Sequence, residues 1–251
     1  MQNISHCLAT DLDGTFVGDR EALLELLKHY KQLPDRVFLV YITGRHLASA
    51  LELIKQENLP IPDVLATDIG TAIYTFESGK WIADTAWERQ MKDSWFPERI
   101  TEIAAACPGL ENQGLPENRR VSFYASSLSD VEEFEQSLIH AAIPHNLIYS
   151  SGRDLDILPE NSGKAAALEF ILNRYGIDHE RLLVAGDSGN DFDMLNLGYR
   201  SVVVGNGLDD LAELEDRETL YRAKARCAGG ILEAWQHFFP SRENKKVPAS
   251  E

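Results

Sequence analysis

Short apolar runs alternate with amphipathic stretches along the first third of the chain, and that rhythm predicts the elements. Strands are predicted over residues 7–10, 37–42 and 64–67, separated by helices over 20–30 and 45–57. Such alternation implies a parallel sheet with helices on its faces. The rhythm resumes after Gly163 with helix 164–175, strand 182–185, helix 192–197 and strand 201–204. Between the blocks the texture changes to helix 96–106, strand 121–124, helix 130–140 and strands 147–149 and 155–158. The middle stretch is expected to form a small α+β unit laid over the core. Pro60 and Pro62 precede the third strand and Pro159 closes the middle block, although proline marks turns more often than borders. The polar residues 242–251 are expected to be frayed, and no internal repeat is visible.

A chain of 251 residues suits either one large domain or a core with an insertion. With 44% hydrophobic and 25% charged residues it reads as globular, neither disordered nor membrane-embedded. Its net charge of −16 disfavours nucleic acid and anionic membrane as partners, because both require a basic surface. Cys7, Cys107 and Cys227 are odd in number and scattered, which speaks against a disulfide framework or a structural zinc site. No stretch resembles a signal peptide or a span of roughly 20 apolar residues. The expectation is a cytoplasmic protein.

Four places carry candidate chemistry. Asp11-Leu12-Asp13-Gly14-Thr15 follows the first strand, at the sheet edge where open parallel sheets bind ligands. Alternation along the strand lets Asp11 and Asp13 face one cavity while Leu12 enters the core; a plain Asp-Gly turn is the other reading. Thr43-Gly44-Arg45 follows the second strand, where a hydroxyl, an open amide and a helix N-terminus can hold an oxyanion, or Thr43 can simply cap the helix. Gly186-Asp187-Ser188-Gly189-Asn190-Asp191 offers two carboxylates and an amide to a hard divalent ion such as Mg²⁺; it lacks the closing Glu of a calcium loop. Lys164 opens a helix, against the usual charge preference, and reads either as solvated or as the partner of an anion.

Taken in order, these four segments resemble the motifs of the haloacid-dehalogenase-like (HAD) superfamily of aspartate-nucleophile phosphotransferases. The resemblance implies an HAD-like α/β Rossmannoid core with a parallel sheet, at residues 1–81 and 159–251, and an inserted α+β substrate-specificity cap at 82–158. It implies that Asp11 is the nucleophile and Asp13 the general acid and base. It further implies Mg²⁺ held by Asp11, the Asp13 carbonyl, Asp187 and Asp191, with Thr43, Gly44, Lys164 and Asn190 on the phosphoryl oxygens. An acid at position 13 fits a phosphatase or phosphomutase rather than a dehalogenase, because a halide leaves without a proton.

The interval from Asp13 to Thr43 is filled by one helix and one strand, whereas that from Thr43 to Lys164 has room for a whole second unit. A cap inserted there reads the leaving group, so substrate choice should reside in it. The run Asp11–Asp19, the stretch Ser150–Pro159 and Gly229-Gly230-Ile231 are similar to the bacterial sucrose-phosphate phosphatase group, which includes mannosylfructose-phosphate phosphatase. Arg153, Asp154 and Asp156 are the candidates for sugar hydroxyls, with a turn cap or a mutual ion pair as the alternative. Arg119, Arg120 and Tyr124 can contact a ligand, but such residues are more often ordinary surface and sheet residues. Ala72 stands where sucrose-phosphate phosphatases are expected to carry an acid. The implied activity is Mg²⁺-dependent hydrolysis of sucrose 6-phosphate, with mannosylfructose phosphate next. A phosphomutase and a silent module that binds a glycosyltransferase are further options, and association with a sugar-phosphate synthase is a possible partnership.

Overall fold

The computed structural model describes residues 6–240; the C-terminal stretch expected to fray lies outside them. β1 (His6–Thr10) leads to α1 (Arg20–Gln32), whose start is set by Asp19, its carboxylate accepting from Ala22 N at 3.0 Å. β2 (Val37–Ile42) has six apolar residues in a row, all buried, as a strand covered on both faces requires. α2 (Leu47–Gln56), β3 (Val64–Thr67), β4 (Ala72–Glu77), β5 (Lys80–Ala83) and α3 (Thr85–Lys92) follow. The chain continues through α4 (Pro97–Ala104), β6 (Leu110–Asn112), β7 (Val121–Ala125), α5 (Leu128–His140), β8 (Asn146–Ser150) and β9 (Asp154–Leu158). It returns with α6 (Lys164–Tyr175), β10 (Leu182–Gly186), α7 (Phe192–Leu195), β11 (Ser201–Val203), β12 (Leu220–Arg222) and α8 (Cys227–Phe238).

Eight strands form the large sheet in the order β12-β11-β10-β1-β2-β3-β4-β5. The pairs from β12 to β3 are parallel and the last two antiparallel. Because β2 lies on one side of β1 and β10 on the other, the order reverses at β1, which opens a crevice beyond its carboxyl end. Successive residues of β1 serve opposite faces. Cys7 and Ala9 join α6, α7 and α3 through Leu168, Ile171, Met194 and Trp87, while Leu8 joins α1, α2 and α8 through Leu26, Leu53 and Trp235.

The second sheet, β6-β7-β9-β8, is antiparallel. Its Phe123, Leu155 and Ile157 pack on Ile100 of α4 and Phe134 of α5. The opposite face therefore carries Ser122, Tyr124, Asp154 and Asp156. The border expected at Ile82 falls inside β5, and Trp87 and Met91 of α3 lie in the core cluster.

Gly70 illustrates how tightly the loop after β3 meets α6. Its φ is +85°, and a Cβ there would stand 2.5 Å from the Gly163 carbonyl oxygen. Gly79 has nearly the same backbone (φ +82°) with open space around it. Gly70→Ala is therefore expected to cost more than about 1 kcal/mol beyond Gly79→Ala in urea denaturation, since both incur backbone strain and only the first a clash.

Candidate active site

The loops after β1, β2 and β10 emerge side by side, and the first turn of α6 delivers a fourth group to them. Asp11 follows β1 with its amide bonded to Ala185 O of β10 at 3.1 Å, which fixes its carboxylate in the crevice. Lys164 opens α6 with its side chain 1% exposed, and its Nζ donates to Asp11 Oδ1 and Asp191 Oδ1 at 2.7 Å each. Burial and the helix N-terminus both oppose an ammonium there. The two carboxylates outweigh that opposition and hold the Lys164 pKa above its ordinary value.

Asp191 is itself fixed by the β10 loop. Its Oδ2 accepts from the amides of Asp187 and Ser188 at 2.9 and 3.1 Å, closing a single 3-10 turn over Gly189–Asp191. Asp187 accepts a hydrogen bond from Thr15 Oγ1 at 2.7 Å. Burial pushes its carboxyl up to about 6, with Asp191 adding repulsion and the Thr15 hydroxyl opposing the rise. Burial likewise pushes Asp11 up to about 8, Lys164 pulling against the shift and Asp191 and Asp187 reinforcing it. One oxygen each from Asp11, Asp187 and Asp191 lies within 4.8 Å of the others. Three buried carboxylates against one ammonium leave an excess of negative charge on an all-oxygen donor set, which fits a divalent metal.

Thr43 is buried beside this cluster, its Oγ1 accepting from Arg45 N at 3.2 Å. A Cβ on Gly44 would lie 3.8 Å from Asn190 Nδ2, so Gly44, next to Thr43 in the chain, and Asn190 approach one another across the crevice. Leu12 is in the core. Asp13, by contrast, is 51% exposed, and both its oxygens are taken by Arg45, from Nε at 2.7 Å and from an Nη at 2.8 Å.

The candidates on the second sheet separate. Arg153 is 61% exposed, lies over the Tyr124 ring at 4.1 Å and stands 3.9 Å from Asp154. Asp156 is buried and bonded to Arg120 and Ser122. Arg120 departs from the expectation of an ordinary surface residue: its side chain is 9% exposed and reaches the Gly44 carbonyl on the large sheet's side at 2.8 Å. Its neighbour Arg119 pairs with Glu117 and Glu88. Thr15, Arg45 and Asp68 are site residues the motif reading passed over, and Arg120 was named only as a ligand contact outweighed by an ordinary surface role. Thr15 and Arg45 sat inside the quoted motifs. Asp68 follows β3 at the same sheet edge with φ of +51°.

A family model described as sucrose-6F-phosphate phosphohydrolase matches residues 4–239. The chain belongs to this family. Among similar family proteins is the mannosylfructose-phosphate phosphatase of Agrobacterium fabrum, 33% identical over 239 residues that cover 92% of this chain and 96% of the relative. Probable sucrose-phosphatase 2 of Arabidopsis thaliana is 30% identical over 250 residues, and there the match spans 92% of this chain but only 59% of the plant protein. The X-ray structure of the sucrose-phosphatase from Synechocystis sp. PCC6803, in complex with sucrose and phosphate, superposes with a TM-score of 0.87 at 31% identity over 94% of this chain and 98% of that one. A solved HAD subclass IIB sugar phosphatase shares the fold, with a TM-score of 0.67 at 19% identity over 93% of this chain and 98% of that one. The family's members are phosphoric monoester hydrolases. Among the described residues no helix is long and apolar enough to cross a membrane.

The crowded carboxylates give the site a thermodynamic signature. A cation that binds only the folded state adds about 2.7 kcal/mol at a hundredfold excess over its Kd. Mg²⁺ is therefore expected to raise the Tm of EDTA-treated protein. Because the raised pKa of Asp187 makes its charge unfavourable near pH 7, Asp187→Asn should have a higher Tm than wild type in EDTA and a diminished response to Mg²⁺. Scanning fluorimetry reads both effects, and an equal Mg²⁺ response in the two proteins would contradict the assignment.

Proposed function

We propose that this chain is a Mg²⁺-dependent phosphatase that hydrolyses sucrose 6-phosphate through an aspartyl-phosphate on Asp11. The observation that carries the reading is the burial of Asp11 against Lys164, beside Asp187 and Asp191. A carboxylate in that position is oriented for attack, with Lys164 offsetting part of the charge that a bound cation would neutralise further. Asp11, the Asp13 carbonyl, Asp187 and Asp191 would hold Mg²⁺. Bound there, the ion neutralises charge on the phosphoryl group.

The remaining chemistry belongs to the protein. Thr43 Oγ1, the Gly44 amide, Lys164 and Asn190 hold the phosphoryl oxygens as charge moves onto the leaving group. Asp13 protonates the leaving sugar oxygen and then takes a proton from the hydrolytic water. For the first of these roles one Asp13 oxygen has to leave the fork of Arg45 while the other stays held by it, so that Arg45 continues to orient the carboxylate. The inserted unit from α4 to β9 acts as the specificity cap, whose polar face carries Asp154 toward the leaving group and Asp156 beneath Arg120, with Arg153 at its tip. The unpaired cysteines suit a reducing cytoplasm.

Mannosylfructose phosphate is the second reading, favoured by the Agrobacterium relative, which is matched over nearly its whole length. Association with a synthase of the phosphorylated sugar is a further proposal: a protein named glucosylglycerol-phosphate synthase is matched over 30% of its length at 33% identity.

Phosphate release with Mg²⁺ across sucrose 6-phosphate, mannosylfructose phosphate, fructose 6-phosphate and mannose phosphates tests the substrate. Turnover of sucrose 6-phosphate should exceed that of the monosaccharide phosphates by at least tenfold; equal, weak turnover of all of them sinks disaccharide specificity. Interconversion of hexose phosphates with little free phosphate would mark a mutase. For the mechanism, Asp11→Asn should reduce turnover to background while circular dichroism is unchanged, and near-wild-type activity would remove the nucleophile assignment.

A further inference from the structure

The phosphatase reading leaves one arginine unaccounted for, and the following rests on that reading. Arg120 precedes β7 on the second sheet, yet its guanidinium ends among groups of the first. One Nη donates to Ser122 Oγ at 2.8 Å and to Asp156, while the other donates to the Gly44 carbonyl at 2.8 Å. Its Nε stands 4.0 Å from Asp68 Oδ1, too far for a hydrogen bond, and neither atom has another partner. Ser122 and Asp156 thus anchor the arginine on its own sheet, and its free fork reaches across to the large sheet's side.

What the fork grips is the peptide unit joining Gly44 to Arg45. Three further connections run from that unit and from Arg45 itself. Its N–H, on Arg45, donates to Thr43 Oγ1 at 3.2 Å. The Arg45 side chain holds Asp13 through two hydrogen bonds and Ser49 Oγ through a third at 2.8 Å. The Arg45 carbonyl accepts from Asp68 N at 2.9 Å, which ties the dipeptide to the loop that faces Arg120 Nε. A single dipeptide therefore links the second sheet to the hydroxyl that meets the phosphoryl group and to the carboxylate that handles the leaving oxygen.

We propose that Arg120 is a positioning residue: seated from the cap onto the Gly44 carbonyl, it sets the Gly44–Arg45 peptide and through it both Thr43 and Asp13, so that catalysis is completed only when the cap is closed. Both Nη groups of Arg120 donate to protein acceptors, its Nε is buried facing Asp68, and its side chain is 9% exposed, which separates this role from direct recognition of the sugar. The unpaired Asp68 Oδ1 and Arg120 Nε show that the seat is incompletely satisfied. Such a contact opens more readily than a fully bonded one, as a cap that must release its product requires.

A substrate without a sugar separates the two roles. The full chain with Mg²⁺ is assayed on p-nitrophenyl phosphate and on sucrose 6-phosphate, as wild type, Arg120→Ala, Arg120→Lys, Arg45→Ala and the Arg120→Ala/Arg45→Ala double variant. Misplacement of catalytic groups by about 1 Å costs on the order of 100-fold. Arg120→Ala is expected to lower kcat by about that factor on both substrates, with KM for p-nitrophenyl phosphate within about threefold of wild type. Arg120→Lys, which keeps one donor, should recover part of the loss and guards against a misfolded alanine variant. Because both arginines act through one dipeptide, the double variant should lose little more than the worse single one. An unchanged kcat on p-nitrophenyl phosphate, with KM raised only for sucrose 6-phosphate, would show a sugar contact and overturn the proposal. Losses that multiply in the double variant would overturn it as well. Wild type inactive on both substrates would instead remove the phosphatase reading and this inference with it.

Discussion

Lys164 is a buried cation placed where a helix least favours one, and the site follows from the need to satisfy it. Desolvating an ammonium costs several kcal/mol unless strong acceptors surround it. Asp11 and Asp191 are those acceptors, each at 2.7 Å. They come from β1 and from the loop after β10, so satisfying one charge requires neighbouring strands and the start of α6 to be in register. Asp191 is then held by the amides of its own loop, and Asp187 is held beside it by Thr15. Charge compensation and chain topology thus specify the same geometry.

The consequence is a site whose local field differs from that of the protein as a whole. A chain of net charge −16 accommodates an anionic group only where fixed donors oppose that charge. Lys164, Gly44 and the Asn190 side chain border one crevice, where the excess charge of Asp11, Asp187 and Asp191 would be offset by the divalent cation their oxygens are suited to hold, and the acidic surface elsewhere keeps polyanions away without governing what happens inside. The candidate groups are gathered at the carboxyl ends of three adjacent strands and the start of α6, beside the crevice that the reversal of strand order at β1 opens.

Much of this was legible in the sequence because burial on both faces writes a continuous apolar run, and Val37–Ile42 is such a run. Three of the four motifs also stand directly after the strands that present them, and Lys164 opens a predicted helix. What the pattern missed has physical causes. β5 alternates between exposed and half-buried positions at the sheet edge, and β12 has only three residues, so neither carries a strong periodic signal. α8 contains Gly229-Gly230, which weakens any helical reading; a Cβ on Gly230 would lie 2.6 Å from Ala225 O, so close packing rather than helix propensity selects it. Arg120 carried little weight because one arginine before a strand looks like any surface cation. Its partners Gly44, Asp68 and Asp156 lie far from it in the chain, and only the fold brings them together.

The pairing of β1 has a bearing on how the molecule is assembled. β1 meets β2 a short distance along the chain, with His6 opposite Val37, but its other edge is matched only by β10, with Cys7 opposite Leu182. During synthesis from the N-terminus that edge, bearing Cys7 through Thr10, remains without a partner until the whole inserted sheet has been made. The inserted sheet is contiguous in the chain and can gather around Phe123 and Phe134 early. The strand that presents Asp11 is thus both the centre of the finished sheet and, while the chain is still growing, an open template for mispairing.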